Sequence, residues 1–344
     1  MIAFRDKMEA DQVAWRNHSG LPGGGLWSRK SYEHILLRKD QQANLWPGIQ
    51  GGGRFPLDAY LRDKGIHAHT GRDNLLSSWT LCANLYFPFG QDDDGRRLAA
   101  GFLRRYIDPS IADVRAVELE YEHNDPKLKP LSLLGEMDGD RGTNQTSPDL
   151  AFVVELDGGQ QGVVLTEVKF TEHNFYACSA RKDLPESERN ARCDSLVLLK
   201  ADPQSVCAQH KDKKRLYWDH LAQDCFDWDA TLRSCPAATA GYQLFRQHAL
   251  AEGLARNSDF ALVVSSVACD ERNEGLMKSL RRTGISDVAT DWGKLFKGKA
   301  KFKVFTHQDW VGWVRDQPER PSWCDDWLVY VSDRYGFGAD GEQP

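Results

Sequence analysis

Two short apolar runs separated by a glycine-rich break dominate the hydrophobic pattern of the chain. Residues 150–156 include Phe152, Val153 and Val154, and residues 163–170 are rich in β-branched side chains, so both read as buried strands. Between them Asp157, Gly158 and Gly159, then Gln160, Gln161 and Gly162, supply the positive φ angles of a hairpin loop. An antiparallel hairpin is predicted. Upstream, residues 74–87 place Leu75, Leu76, Trp79, Cys82, Ala83, Tyr86 and Phe87 at helical spacing until Pro88 stops the run, with Asn74 or Asp73 as cap. Residues 114–121 alternate instead, with Val117, Leu119 and Tyr121 on one face and Glu118, Glu120 and Glu122 on the other, as in a half-buried strand.

Downstream, residues 241–256 form the clearest amphipathic helix of the chain and lead into a near-continuous apolar strand at 259–267. Residues 31–46, capped by Ser31, and residues 273–283 also read as helices. Residues 124–146 are polar and glycine-rich, a loop long enough to border a site. Asp138 and Asp140 in it resemble a calcium-loop fragment but lack the downstream ligands. Helix, strands, helix and strand in this order predict an α/β fold.

Candidate chemistry sits on the hairpin. A period of two puts Glu167 and Lys169 on one face, away from Val168 and Phe170, and Asp149 opens the first strand just after Pro148, where pairing brings its carboxylate near Glu167. Mg²⁺ or Mn²⁺ takes hard oxygen ligands, so Asp149, Glu167 and the Val168 carbonyl form a candidate ligand set. Lys169 would then orient a water and stabilise developing negative charge. The implied reaction is phosphodiester hydrolysis. Taken singly, a Pro-Asp strand start and a solvated Glu-x-Lys face are ordinary features; their joint placement on one hairpin points to a site.

Pro148-Asp149 followed by Glu167-Val168-Lys169 resembles the motif of the PD-(D/E)XK nuclease superfamily, the restriction-endonuclease-like fold. The stretches YEHIL, SSWTLCANLYFPF, TEVKFTEHNF and CPAATAGYQLFRQHALA resemble parts of a bacterial branch of those nucleases. The resemblance implies an αβββαβ core with the motif on its second and third strands, Mg²⁺ dependence, and cleavage of DNA or less often RNA. It implies a third acid upstream of the motif, Glu120 or else Glu118, with an exposed acidic strand face as the alternative. It also makes Gln243 and Arg246, on the helix after the hairpin, candidates for the site or for nucleic-acid contact, solvent-facing roles being the alternative. A catalytically inactive nuclease fold that binds nucleic acid or a protein partner is the competing reading.

Five of the eight cysteines, Cys178, Cys193, Cys207, Cys225 and Cys235, fall in one charged stretch. In a reducing compartment such clustering suggests metal before disulfide, although no CxxC spacing is present. Cys178 and Cys235 bracket the stretch, so Cys178, Cys193, Cys207 and Cys235 are the candidate set for zinc or a 4Fe-4S cluster, as some members of the resembled superfamily carry. Independent free thiols are the alternative. The domain expectation is an N-terminal extension over 1–70, a core over 71–315 interrupted by a cysteine-bearing insertion at 176–239, and a C-terminal segment from 316.

Charge modifies the picture. The net charge of −6 and pI near 5.9 argue against coating nucleic acid through bulk charge, so contacts must be local. Lys297, Lys299, Lys301 and Lys303 alternate and offer either a phosphate-binding stripe or a protected edge strand. Arg96, Arg97, Arg104 and Arg105 offer a basic edge or a solvated helix face. His67 and His69 are spaced as strand-face ligands without a third partner in view. Trp310, Trp313, Trp323 and Trp327 read as packing residues. No apolar run reaches membrane-spanning length and the N-terminus lacks a signal-peptide profile, so a cytoplasmic location is expected.

Overall fold

The apolar runs pair into one sheet of five strands in the computed structural model, which describes residues 3–67, 70–139, 141–142, 145–221, 225–228 and 232–338. Strands β1 (Ile111–Leu119), β2 (Leu150–Leu156), β3 (Gln161–Lys169), β4 (Leu262–Cys269) and β5 (Lys301–Thr306) lie side by side in sequence order. β1, β2 and β3 are joined antiparallel, whereas β3, β4 and β5 run parallel. A parallel pair needs a crossover; a long one, residues 170–261, connects β3 to β4.

The main helices are α1 (Phe4–His18), α2 (Ser78–Tyr86), α3 (Asp93–Tyr106), α4 (Tyr242–Asn257), α5 (His307–Arg315) and α6 (Trp323–Tyr335). Taken as α2, β1, β2, β3, α4 and β4, the core has the expected αβββαβ order, and the five-cysteine segment lies between β3 and α4. α2 is capped by Ser77, whose side chain accepts the Thr80 N–H, rather than by Asn74 or Asp73.

Strand alternation sends side chains to two cores. On one face Phe152, Val154, Val164, Val168 and Phe305 pack against Tyr86, Phe102, Trp310 and Trp327. On the other, Ala151, Val163, Leu165, Val263 and Val267 pack beneath Leu244 and Phe245 of α4 and Trp218 of the insertion. Burying an aromatic side chain of this kind contributes about 1.5–3 kcal/mol. Trp310 and Trp327 also donate their indole N–H groups to the Leu85 and Asn84 carbonyls of α2, so the C-terminal tryptophans pack as expected. At the periphery of this core, Gln12 of α1 donates to the Arg334 carbonyl of α6 at 2.6 Å, which joins the two ends of the chain.

Three sequence expectations are corrected. Residues 31–46 are not an α-helix: Lys30–Tyr32 pairs with Gly25–Trp27, and Arg38–Asn44 is a 3₁₀ turn. Backbone bonds from Leu36 to Asp73 and from Leu75 to His34 hold the intervening chain extended, so long-range pairing overrides local propensity. Residues 273–283 break into Glu274–Met277 and Arg281–Thr283, ended by Gly284 at φ +101°. The lysine strand begins only at Lys301, because the Lys299 and Ala300 N–H groups are bound by the Glu252 carboxylate. His69 and Asp140 lie outside the described residues.

Candidate active site

The topology gathers the motif at one end of the sheet. β2 starts where β3 ends, because the two are antiparallel, and β1 ends beside the start of β2. Asp149, Glu167, Lys169 and Glu120 therefore meet at that end. α4 follows the insertion and starts there too, with Gly241 at its N-cap. A Cβ at Gly241 would lie 2.3 Å from the Pro236 carbonyl, so only glycine permits this close turn. Backbone bonds from Tyr242 to Tyr176 and from Gln243 to Phe175 then dock the first turn of α4 onto the chain leaving β3.

Each side chain is held from more than one element. Asp149 Oδ2 accepts the Val168 N–H at 2.8 Å. Glu167 Oε1 accepts from Lys169 Nζ and from Gln243 Nε2, both at 2.8 Å. Glu167 and Lys169 are only 6 % and 3 % exposed, so this is an interior ion pair rather than a solvated strand face. The Lys169 ammonium also lies 5.8 Å from the centroid of the Tyr176 ring. Behind the strand, His307 Nε2 meets the Lys169 carbonyl at 2.9 Å while its Nδ1 meets the Tyr86 hydroxyl at 2.8 Å.

Glu120 breaks the alternation of β1. The strand ends at Leu119, and Glu120 adopts φ +48°, which turns its carboxylate inward instead of leaving it beside Glu118. Such a conformation costs a non-glycine residue on the order of 1–3 kcal/mol. The Glu120 N–H donates to the Asp149 carbonyl, and Arg141 donates to the Glu120 carbonyl, which together hold the turn. Gly142 packs over the carboxylate: a Cβ there would lie 3.1 Å from Glu120 Cδ. Glu118, by contrast, pairs with Arg141 at 3.2 Å. Tyr176, at φ +58°, is a second left-handed residue at the site.

Electrostatics follow from crowding. Burial, then the charges of Glu167 and Glu120, hold the Asp149 carboxyl well above the usual carboxylate range, with Lys169 opposing. Burial chiefly, and then Glu167, push Glu120 up to about 7 against hydrogen bonds from Ser147 and Trp79. Burial alone would draw the Lys169 ammonium down, but Glu167, Glu172 and Asp149 outweigh it and its pKa is raised. Lys169 is thus a fixed cation, suited to stabilising negative charge and unsuited to taking up a proton.

Three mutually repelling carboxyls with one ammonium suit a divalent cation. Among the described residues no three His, Cys, Asp or Glu side chains already stand at ion-binding spacing. Mg²⁺ needs less than that, since it keeps several waters and takes one or two carboxylates plus substrate oxygens. Within a strand the N–H and C=O of one residue point to the same side, so the Val168 carbonyl faces the side on which its N–H meets Asp149. Gln243 Oε1 is buried without a hydrogen-bond partner, an acceptor left for a bound water.

The remaining predicted residues divide. Arg246 is half-buried over the Tyr242 ring; burial would lower its pKa, but Glu136 and Glu167 raise it, which places it within reach of the site's charges. Lys299 and Lys301 are not brought to the site: Lys301 pairs with Val264 at the start of β4, whereas Lys169 pairs with Cys269 at its end. Lys301 is bonded to Asp108 at 2.6 Å. Arg96 and Arg97 pair with Asp93 and Asp94 on the solvated side of α3. Cys178, Cys193, Cys207 and Cys235 line one cavity, and Cys225 does not. His307, Glu136 and Tyr176 were missed by sequence reading, since single residues on turns and helix starts carry no periodic signal.

A mixed five-stranded sheet with buried acids and a lysine at one end of its central hairpin defines a protein of the restriction-endonuclease-like α/β fold. The chain belongs to the family described as Restriction Endonuclease associating with ARP, which it matches over residues 8–336. No curated protein and no solved structure gives a match. Membership in that family makes it a nuclease-like protein. Among the described residues no helix is long and apolar enough to cross a membrane.

Proposed function

We propose that the protein is a metal-dependent nuclease of the PD-(D/E)XK type that hydrolyses phosphodiester bonds in DNA. The observation that carries this reading is the convergence of Asp149, Glu167 and Lys169, drawn from two strands, with Glu167 clamped by Gln243 of α4. Asp149, Glu167 and the Val168 carbonyl are the groups that would hold Mg²⁺ or Mn²⁺. When bound, the ion would supply charge neutralisation at the phosphate and a more acidic water. Lys169, held cationic, directs its ammonium at the attacking water and the phosphate oxygens. Glu120 adds negative charge beside Asp149 and strengthens cation binding. Gln243 fixes the rotamer of Glu167, and His307 fixes the backbone at Lys169.

A second reading, an inactive nuclease fold that binds nucleic acid or a protein partner, is favoured by one observation: Glu167 and Lys169 are nearly excluded from water and already paired. The deciding experiment compares wild type and Lys169→Ala, prepared identically, on single-stranded and duplex DNA and on RNA with Mg²⁺, Mn²⁺ or EDTA. Cleavage that needs metal and vanishes in the variant supports the enzyme and names its strand preference. Equal cleavage in both preparations, or none with any substrate, favours the binding module.

A further inference from the structure

The described residues between 177 and 240 form helical pieces of four to six residues, each far too short to be stable alone. Their private hydrophobic cluster is small, formed by Cys178, Ala180 and Ala208. The segment's other buried apolar side chains, Leu199, Trp218 and Phe226 among them, join the core beneath α4.

Cys178, Cys193, Cys207 and Cys235 are spaced 14 to 28 residues apart in sequence, yet all four border one enclosed cavity of about 20 Å³, walled by Leu199, Ala237, Ala238, Trp218 and Phe245. Main-chain bonds fix the arrangement. The Cys235 N–H donates to the Cys193 carbonyl at 2.9 Å, and the Cys178 N–H donates to the Ala237 carbonyl at 3.2 Å. None of the four is in a disulfide. Arg192 lines the same cavity while its guanidinium pairs with Glu188 and Asp212.

We propose that Cys178, Cys193, Cys207 and Cys235 hold a thiophilic metal centre that orders the insertion and braces the active site. Binding replaces four thiol protons, released to solvent, by four metal–sulfur bonds, with no change of oxidation state for zinc and with pre-formed cluster as the co-reactant for iron–sulfur. Among the described residues the thiols do not stand at metal-bonding spacing, and side-chain rotation onto the metal would complete the site.

Bracing follows a continuous path. Gln209 Nε2 bonds Cys178 Sγ at 3.5 Å and the Tyr242 hydroxyl at 2.8 Å. Tyr242 meets Tyr217, whose hydroxyl donates to Glu136 at 2.7 Å, and Glu136 binds Thr146 three residues before Asp149. Tyr242 also precedes Gln243, the residue that clamps Glu167.

The test measures metal and thermal stability in the full chain and is independent of DNA cleavage, so its failure is separate from failure of the nuclease reading. Protein purified without chelator, and protein treated anaerobically with either Zn²⁺ or a pre-formed iron–sulfur cluster, is assayed for metal, visible absorbance and reactive thiols. About one zinc, or about four irons with a visible charge-transfer band, per chain is expected. Cys193→Ser and Cys207→Ser should each lose the metal, while Cys225→Ser, outside the cavity, retains it. Removing the metal should lower the melting midpoint and expose the four thiols to a thiol reagent. Metal-free protein under every condition, with the same melting midpoint before and after chelation, would overturn the proposal; so would retention of metal by both cavity variants.

Discussion

The carboxylate of Asp149 accepts the backbone N–H of Val168 at 2.8 Å, tying the first residue before β2 to the penultimate residue of β3. The contact makes the side chain both a structural clasp and a candidate ligand, and substitutions separate the two roles. Asp149→Asn keeps an oxygen for the Val168 N–H, so its melting midpoint should stay close to wild type. Metal-dependent cleavage should fall at least about 100-fold, as expected for loss of a charged ligand. Asp149→Ala leaves that N–H unpaired and should cost about 1–3 kcal/mol in addition. Denaturant titration beside a cleavage assay checks both.

Saturating Mn²⁺ should raise the melting midpoint of the wild type by relieving repulsion among Asp149, Glu167 and Glu120, worth about 2.7 kcal/mol at a hundredfold excess over Kd. The shift should vanish in Asp149→Asn and with EDTA. Differential scanning calorimetry reads it directly, and an equal shift in the variant would place the ion elsewhere.

Lys169 and Glu167 form a buried pair, so neutralising one partner alone is the damaging change. Lys169→Met should destabilise the fold by roughly 3–5 kcal/mol as well as abolish cleavage, because Glu167 is left uncompensated. Lys169→Met combined with Glu167→Gln should recover most of the stability and none of the activity. Urea midpoints of the single and double variants decide it.

Gln243 acts on Glu167 rather than on substrate. Gln243→Ala removes a hydrogen bond to a charged group, worth about 1.5–3 kcal/mol, and should lower kcat more than it raises KM. Gln243→Glu, which sets a second carboxylate against Glu167, should be worse at neutral pH. A variant that changes KM alone would make Gln243 a nucleic-acid contact instead.

His248 is stacked on Phe296, 3.8 Å between centroids, with both ring nitrogens buried and unpartnered. Burial depresses its pKa to about 3. In the unfolded chain a histidine titrates near 6.5, so between those values the unfolded state binds more protons. Stability is therefore full above about pH 6.5 and falls as pH drops, with a limiting slope of about 1.4 kcal/mol per pH unit for this residue. His248→Leu should flatten the decline between pH 6 and about 4.5, as read from melting midpoints; a parallel pH profile would contradict the assignment.

The hairpin and α4 were legible because their signals are local. Period two put Glu167 and Lys169 on one face, the glycines at 158 and 159 marked the turn, and the apolar stripe of 241–256 marked the helix within one residue. The lead-in at 31–46 was misread because its conformation is set by pairing with residues 73–75, remote in sequence.

The sequence by itself determined the two hairpin strands, the turn between them and the helix at 241–256, since side-chain periodicity and turn chemistry act over a few residues. Tertiary structure alone decided that Glu120 turns inward at φ +48°, that Gln243 reaches Glu167, and that four widely spaced cysteines share a cavity. It also sent Lys301 to the far end of the sheet from Lys169. These outcomes depend on loop paths and on the direction of a long parallel crossover, which no local pattern encodes.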